Sequence, residues 1–353
     1  MPHLWLGISI AFITALLTTP LAIYVARKLN VVDIPNERKV HTGSIPRMGG
    51  MAIYGAFVLG TLSLGIYTKQ VAALLIAGSL VMFVGWVDDV RGISPKIKLI
   101  GQVIASLILI KGGFYVQFIT NPFTDGGLIS LGIFTIPITI LWLTGISNAV
   151  NLVDGLDGLS AGVSAIAALT MTIVCFVQGQ LQTAALAAVL AAAAFGFLRY
   201  NFHPARTFMG DCGALFLGFV LGALAIMGLS KGATIISIFI PLIIMGIPVF
   251  DTFFAIMRRI FLHKPIFEAD KGHLHHSLLS LGLSHRQTVL AIYAISVVMG
   301  LSAILLVLLT SAQAVVLLIA LIIGTFAGAE KLGVLRGNQE HRLRKRTAKQ
   351  PKF

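Results

Sequence analysis

Long apolar runs dominate this sequence and restrict it to one class of fold. Hydrophobic residues make up 57% of its 353 residues and charged residues only 11%, proportions typical of polytopic membrane proteins. A helix that crosses a hydrocarbon core about 30 Å thick needs about 20 apolar residues. Eleven runs approach that length, near residues 4–26, 49–67, 71–90, 97–114, 128–148, 158–177, 181–198, 212–229, 233–257, 288–309 and 312–329. The sequence therefore predicts an all-α polytopic membrane protein with about eleven transmembrane helices, as one domain over residues 1–330 with a basic tail over 331–353.

The basic residues predict the orientation, because loops rich in Lys and Arg stay on the cytoplasmic side. With the N-terminus outside, 23 of the 26 basic residues fall on inner loops and the tail, and only Lys69, Lys111 and Lys231 fall outside. We therefore expect the N-terminus outside and the C-terminus in the cytoplasm. The same distribution accounts for the net charge of +13, so we expect no binding of nucleic acid, and contact of the tail with anionic membrane lipid.

Two local features modify this helical plan. The outer loop over residues 112–127 alternates apolar and polar residues from Phe114 to Phe118 before an Asn121-Pro122 turn, which predicts a small outer β-hairpin. The ninth run contains Pro241, Gly246 and Pro248, so we expect it to bend. A bent helix would leave a lipid-facing cleft for an acyl or prenyl chain.

A pair of carboxylates, Asp88-Asp89, ends the third run and is followed by Lys96 and Lys98. Acidic residues at a helix C-terminus oppose the helix dipole, and two carboxylates about 5 Å apart repel by about 3 kcal/mol at an effective dielectric constant of 20. A divalent cation, the basic residues that follow, or both must compensate this pair. The alternative is a solvated acid pair at the membrane interface.

The stretch over residues 148–158 joins the fifth and sixth runs and contains Asn148, Asn151, Asp154 and Asp157. Its two acids are three residues apart and would share one side of a helical turn if the stretch is helical. Oxygen ligands of this kind suit Mg²⁺ or Mn²⁺, and the neighbouring glycines allow close approach of the backbone. A plain Asp/Gly turn is the alternative, but four polar groups beside membrane spans favour a functional site.

Two inner loops carry further candidates. The loop after the first run contains His41 and Arg47 and is suited to a diphosphate, or is an ordinary basic inner loop. The loop after the seventh run contains Arg206 and ends at Asp211, which either caps the eighth helix or binds a metal ion.

The longest inner loop, residues 258–288, contains five of the nine histidines. We interpret His273, His275 and His276 as donors to phosphate oxygens. A zinc site and a solvated polar loop are the alternatives. Asp251, just before this loop, is expected to pair with Arg258 or Arg259 unless it takes part in the chemistry.

All of these candidates fall on the predicted cytoplasmic side. The five carboxylates of Asp88, Asp89, Asp154, Asp157 and Asp211 would be untenable at one membrane level without cations. With Mg²⁺ they form a site for a soluble polyphosphate substrate, whose phosphates the basic and histidine loops would hold. A membrane body around such a site suggests that the second substrate is a lipid.

The order of four motifs resembles the polyprenyl-phosphate N-acetylhexosamine-1-phosphate transferases. The motifs are Asp88-Asp89 with Pro95-Lys96, the stretch from Asn148 to Gly158, Phe208-Met209-Gly210-Asp211, and Gly272-His273-Leu274-His275-His276. The resemblance spans about residues 5 to 330. It implies eleven spans, a cytoplasmic site dependent on Mg²⁺ (or Mn²⁺), and transfer of a sugar 1-phosphate from a UDP-sugar to undecaprenyl phosphate, with release of UMP.

The histidine motif separates the branches of this family. Leu274 interrupts the histidines, which resembles the WecA and TagO branch, whose donor is UDP-GlcNAc. The sister translocase of peptidoglycan synthesis, which transfers phospho-MurNAc-pentapeptide, is expected to have three consecutive histidines. The resemblance thus implies the first membrane step of an envelope glycan, such as teichoic acid or O-antigen, in a bacterial cytoplasmic membrane, by a protein that forms a homodimer.

Residue chemistry and resemblance together give the predicted roles. Metal binding is assigned to Asp211, Asp89 and Asp154, and a catalytic role to Asp88, Asp89, Asp154, Asp157 and His273. Substrate binding is assigned to His41, Arg47, Lys96, Asn148, Asn151, Arg206, His275 and His276. A secondary transporter with acidic ion-coupling residues is the rival, but transporters usually place such groups near the bilayer midplane, whereas these acids lie at the inner ends of the runs.

Overall fold

A computed structural model describes residues 3–33, 44–116, 118–120, 128–229, 236–263 and 272–334 of the chain. His41, Asp270 and the basic tail over 335–353 lie outside the described residues. The α-helices are α1 (Leu4–Lys28), α2 (Gly50–Ser63), α3 (Lys69–Arg91), α4 (Pro95–Lys111), α5 (Thr135–Val153), α6 (Leu159–Val177), α7 (Leu181–Asn201), α8 (Gly210–Leu229), α9 (Ile236–Ile244), α10 (Gly246–Phe261), α11 (Leu274–Ser280), α12 (His285–Leu308) and α13 (Ser311–Lys331).

The predicted all-α membrane class is confirmed, since each of the eleven apolar runs contains a helix. Among the described residues, eight helices are long and apolar enough to cross a membrane. The helices α2 and α4 are shorter, with 14 and 17 residues. The count of eleven spans and the orientation stay predictions. One boundary was wrong: the fifth helix begins at Thr135, not near residue 128, and continues to Val153, so Asn148 and Asn151 are helical.

Helix α8 forms the centre of the bundle. It is apolar around its whole circumference, and the part over Gly210–Gly228 is buried throughout, as expected of a helix with no polar face. Helices α2, α3, α5, α6 and α7 pack around it. Small residues allow the closest approaches: a Cβ atom on Gly85 of α3 would lie 2.6 Å from the Asp211 carbonyl oxygen. The start of α8 is therefore held against its neighbours.

Backbone hydrogen bonds join the loop before α2 to the loop before α8. The strands β1 (Val32–Asp33) and β2 (Ile45–Pro46) pair antiparallel and bring the chain back to the start of α2. The amide of Phe208 donates to the Pro46 carbonyl oxygen at 2.8 Å, and the amide of Gly50 donates to that of Met209 at 2.8 Å. These bonds hold Arg47, which lies between them, over the beginning of α8.

The structure contains the predicted pair of strands after α4 and the predicted bend in the ninth run. An antiparallel pair of strands, β3 (Phe118–Thr120) and β4 (Leu128–Ser130), follows α4, although the strands lie later in the loop than the alternation at Phe114–Phe118 indicated. The ninth run is broken at Met245 into α9 and α10. Beside this break lies a cavity of about 510 Å³ between α10, α12 and α13, lined mainly by apolar residues.

Gly50 provides a test of the close approach between α2 and α8. A Cβ atom on Gly50 would lie 2.2 Å from the backbone nitrogen of Gly213, whereas one on Gly55 of the same helix has nothing within 4 Å. We expect Gly50→Ala to lower the free energy of unfolding by about 1–3 kcal/mol, because backbone must shift. Gly55→Ala should leave it unchanged or slightly raised, since alanine favours helix. Thermal unfolding of the purified protein in detergent measures both; equal midpoints would contradict the packing.

Candidate active site

Two basic side chains bridge three carboxylates at one end of the bundle. Arg47 Nε lies 3.1 Å from Asp89 Oδ1, and Arg47 Nη2 lies 2.8 Å from Asp211 Oδ1. Lys98 Nζ lies 3.1 Å from Asp88 Oδ2 and 2.9 Å from Asp211 Oδ2. Side chains from the loop before α2, the end of α3, the start of α4 and the start of α8 thus form one charged network, as the shared membrane side predicted.

Asp89 of α3, rather than Asp211, caps helix α8. Its Oδ1 accepts from the backbone amide of Asp211 at 2.8 Å, and its Oδ2 accepts from that of Cys212 at 3.0 Å. The Asp89 side chain is fully buried, where these amides and Arg47 compensate its charge. Capping and metal binding compete for the same oxygens. Because Asp89 takes the cap, both oxygens of Asp211 remain turned toward the cations.

Asp154 adds a fourth carboxylate to this network. It follows the last residue of α5 and is half-buried. Burial raises its pKa to about 7; Arg47 opposes this shift, whereas the negative charges of Asp211 and Asp89 add to it. With all four carboxyl groups ionised, Asp88, Asp89, Asp154 and Asp211 carry four negative charges against the two positive charges of Arg47 and Lys98. The site then has two negative charges in excess.

Asp157 points to a different neighbour from the one the sequence suggested. The chain leaves the helix at Val153 and forms a turn up to Leu159, so the helical condition under which Asp154 and Asp157 would share one side is not met. Asp157 Oδ2 lies 2.8 Å from His203 Nδ1 and accepts from the Ala205 amide at 3.1 Å. Asp157 therefore ties this turn to the loop between α7 and α8.

The histidine motif reaches the same end of the bundle through α11. His273 Nδ1 lies 2.9 Å from Asp251 Oδ2, both side chains are buried, and Asp251 Oδ1 accepts from the Leu274 amide at 2.8 Å. His275 packs under the turn after α5, where a Cβ atom on Gly155 would lie 2.6 Å from its Nε2. Burial lowers the pKa of His275 to about 3, so its imidazole is neutral at physiological pH. The ring centroids of His275 and its neighbour His276 lie 4.2 Å apart.

The remaining predicted residues lie at varying distances from this network. Asn148 donates to Gln102 Oε1 at 2.7 Å and to the Thr144 carbonyl oxygen at 2.7 Å, so its amide joins α5 to α4. Asn151 is half-buried one turn further along α5, and the side chains of Lys96 and Arg206 are exposed. Their assigned roles stay predictions.

Sequence reasoning omitted two residues from the site, Lys98 and Asp251. Lys98, named in the sequence only among the basic residues that could compensate Asp88-Asp89, contacts Asp88 and Asp211, whereas Lys96, predicted to bind substrate, is exposed. The signal for it was available, because α4 begins at Pro95 and residue 98 lies one turn in, on a half-buried face. Asp251 had been expected to pair with an arginine of its own helix, and no local pattern indicates that His273, 22 residues later, is its partner.

The raised pKa of Asp154 predicts how stability depends on pH. Between its ordinary value near 3.8 and its value of about 7, the folded protein holds a proton that the unfolded chain releases. The free energy of unfolding should therefore fall as pH rises through this range, by at most about 1.4 kcal/mol per pH unit, and level off above it.

Thermal unfolding in metal-free buffer at pH 5.5, 6.5, 7.5 and 8.5 measures this dependence. Asp154→Asn cannot lose the proton, so the midpoint of the wild type should fall relative to that of the variant between pH 5.5 and 7.5. Midpoints that run in parallel over this range would show that the folded protein does not hold the proton on Asp154.

Comparison with known proteins matches these features to a family. The model for glycosyl transferase family 4 matches residues 71–229, from α3 to α8. A protein of Bacillus subtilis (strain 168), named as a probable undecaprenyl-phosphate N-acetylglucosaminyl 1-phosphate transferase, is 44% identical over 304 residues, which cover 85% of each chain. The decaprenyl-phosphate N-acetylglucosaminephosphotransferase of Mycobacterium tuberculosis (strain H37Rv) is 36% identical, over 81% of this chain and 78% of its own.

A third relative represents the sister branch. The phospho-N-acetylmuramoyl-pentapeptide-transferase of Halalkalibacterium halodurans is 32% identical over 78% of this chain and 89% of its own. Each of the three similarities covers more than three quarters of this chain. The chain therefore belongs to glycosyl transferase family 4, as a multi-pass membrane transferase.

Proposed function

We propose that this protein transfers N-acetylglucosamine 1-phosphate from UDP-GlcNAc to undecaprenyl phosphate, at the cytoplasmic face of a bacterial inner membrane. The products are undecaprenyl-diphosphate-GlcNAc and UMP. The observation that supports this most directly is the network of Asp88, Asp89 and Asp211 bridged by Arg47 and Lys98. It combines carboxylates for a hard cation with cations for phosphates, and the most similar relatives reported above carry names for this reaction class.

The network fits a divalent metal ion such as Mg²⁺. Its carboxylates offer the oxygen ligands that Mg²⁺ prefers, and when all four carboxyl groups are ionised the two excess negative charges equal the charge of one such ion. We assign metal binding to Asp211, with Asp154 and Asp89 beside it; the buried cap leaves Asp89 the least free of the three. A bound Mg²⁺ would neutralise charge on the diphosphate of the donor.

The reaction requires the protein mainly to bring two anionic substrates together. An oxygen of the lipid phosphate attacks the β-phosphorus of UDP-GlcNAc, a new phosphoanhydride bond forms, and the bond to the α-phosphate oxygen breaks to release UMP. A phosphate monoester is largely dianionic at neutral pH, so little proton removal is required. Arg47 and Lys98 are placed to turn from the carboxylates to phosphate oxygens and stabilise the charge of the transition state.

The cavity beside α10 is our candidate for the start of the polyprenyl chain. It is lined by apolar side chains of α10, α12 and α13, and Asp251 and Leu274 also border it. His273, held by Asp251, therefore lies close to this cavity. We assign His273 to the lipid phosphate, and Asn151 and His276 to the donor. On binding, the apolar chain would exchange contacts with lipid tails for contacts with these side chains, so packing would hold it.

One relative supports a second candidate, transfer of phospho-MurNAc-pentapeptide. We favour UDP-GlcNAc because the two more similar relatives reported are GlcNAc 1-phosphate transferases by name and because Leu274 interrupts the histidines. Formation of a homodimer, and the envelope glycan that receives the product, stay predictions from the resemblance.

A donor comparison tests the proposed function. Purified protein with Mg²⁺ and undecaprenyl phosphate should release UMP from UDP-GlcNAc and form a lipid-linked sugar. Asp211→Asn should abolish this release while the protein keeps its thermal midpoint within a few degrees. Release of UMP from UDP-MurNAc-pentapeptide but not from UDP-GlcNAc would assign the protein to the sister reaction. Release of UMP from neither donor would refute both candidate functions.

The two lysines at the start of α4 allow a sharper test of the site. Lys98 contacts Asp88 and Asp211, so Lys98→Gln should lower kcat/KM by about 100-fold or more, the usual effect of removing one group that stabilises the transition state. Lys96→Gln should lower it less, because Lys96 is exposed. Lys111→Gln, at the opposite end of the same helix, is the matched control. A larger loss for Lys96→Gln than for Lys98→Gln would contradict this arrangement.

A further inference from the structure

A cluster of three potential metal ligands lies apart from the carboxylate network. Asp157 lies in the turn between α5 and α6, His203 in the loop between α7 and α8, and His285 at the first position of α12. One ligand atom from each side chain lies within 4.8 Å of the other two. Three segments distant in sequence thus bring two imidazoles and one carboxylate together.

His285 is the member of this cluster that hydrogen bonding does not explain. Both of its ring nitrogens are buried, and neither makes a hydrogen bond of normal length and angle among the described residues, although the backbone of Asp157 lies close enough to interact with the ring. Its ring stacks on that of His203 with centroids 4.2 Å apart and planes 19° apart. Buried polar groups are normally satisfied, so a ring with two unsatisfied nitrogens beside another histidine and a carboxylate indicates a ligand.

Asp157 and His203 are already held in position for an ion. The 2.8 Å contact between His203 Nδ1 and Asp157 Oδ2 holds these two ligand atoms together, and the Ala205 amide fixes the carboxylate. A metal ion would replace the hydrogen between them, as metals replace protons on their ligands generally. Ligand atoms of a tetrahedral Zn²⁺ site lie about 3.4 Å apart, as Zn–N distances of about 2.0–2.1 Å require. A rotation of the stacked His285 ring would close the remaining gap.

The donor set selects a different kind of ion from the one proposed for the carboxylate network. Two imidazoles and one carboxylate suit a borderline transition-metal ion such as Zn²⁺, whereas Mg²⁺ prefers oxygen ligands alone. Three protein ligands also leave a fourth position for water or another oxygen ligand. We infer that Asp157, His203 and His285 form a second metal site, specific for Zn²⁺ and similar ions, at the edge of the active site. This inference does not depend on the proposed transfer reaction.

Metal binding to the whole purified protein tests the inference without any activity measurement. The protein is stripped of metals, supplied with excess Mg²⁺ to fill oxygen-rich sites, and titrated with Zn²⁺ under equilibrium dialysis. We expect one equivalent of Zn²⁺ to bind. Co²⁺ in the same conditions should give the visible absorption of a four- or five-coordinate ion. No stoichiometric Zn²⁺ binding in the presence of Mg²⁺ would refute the site.

Matched histidine variants locate the ion. His203→Gln and His285→Gln should each weaken Zn²⁺ binding by about 100-fold or more, since each removes one of only three protein ligands. Two controls should keep the affinity of the wild type: His263→Gln, at an exposed histidine outside the cluster, and His276→Gln, in the histidine motif. Loss of binding in His276→Gln but not in His285→Gln would place the ion at the motif and overturn the inference.

X-ray absorption on the zinc-loaded wild type identifies the ligands of the ion even if the variants do not fold. Two imidazoles with oxygen ligands are expected around the ion. A sulfur ligand, or fewer than two imidazoles, would overturn the assignment, and His203 with Asp157 would then be only the hydrogen-bonded pair that joins two loops.

Discussion

The buried carboxylate of Asp89 is the interaction on which the rest of the site depends. It connects the end of α3 to the start of α8 through two backbone amides and holds Arg47 from a third segment. A buried charge is costly unless it is paired and hydrogen-bonded, and here all of its partners belong to the site itself. Helix α8 is the buried centre of the bundle, so this carboxylate fixes the position of Asp211 relative to the whole fold.

The cations of the site bridge its carboxylates and so allow them to lie close together. Arg47 and Lys98 share the two oxygens of Asp211, one each, which keeps that carboxylate oriented between α4 and the loop before α2. Such preorganised charges stabilise a transition state without a large reorganisation. Under the proposed function, an ion bound to Asp211 would displace one cation from it, and the displaced Arg47 or Lys98 would become available to the phosphates of the substrate. Metal binding and phosphate binding would then support each other.

Much of this arrangement could be predicted from the sequence, because topology alone places the ends of helices. The apolar runs indicated the helices, and the basic loops placed Asp88, Asp154 and Asp211 at one level. Which side chains meet there was not predictable, since it depends on helix rotation and on long-range pairing. Lys98 rather than Lys96 faces α3 because of the rotation of α4. Asn148 faces Gln102 for the same kind of reason, and the cap on α8 comes from a residue 122 positions earlier.

The turn after α5 places the two acids of one short motif in two different chemical environments. If the turn were helical, Asp154 and Asp157 would lie on one side and act on one ligand. Because the helix ends at Val153, Asp154 lies with the oxygen-rich network, where its pKa responds to Asp211 and Asp89, and Asp157 lies with two histidines. The close packing of His275 against Gly155 leaves no room for a side chain between these two environments. A single turn can therefore face an oxygen-rich network on one side and a nitrogen-rich pocket on the other, with only Gly155 and Leu156 between the two acids.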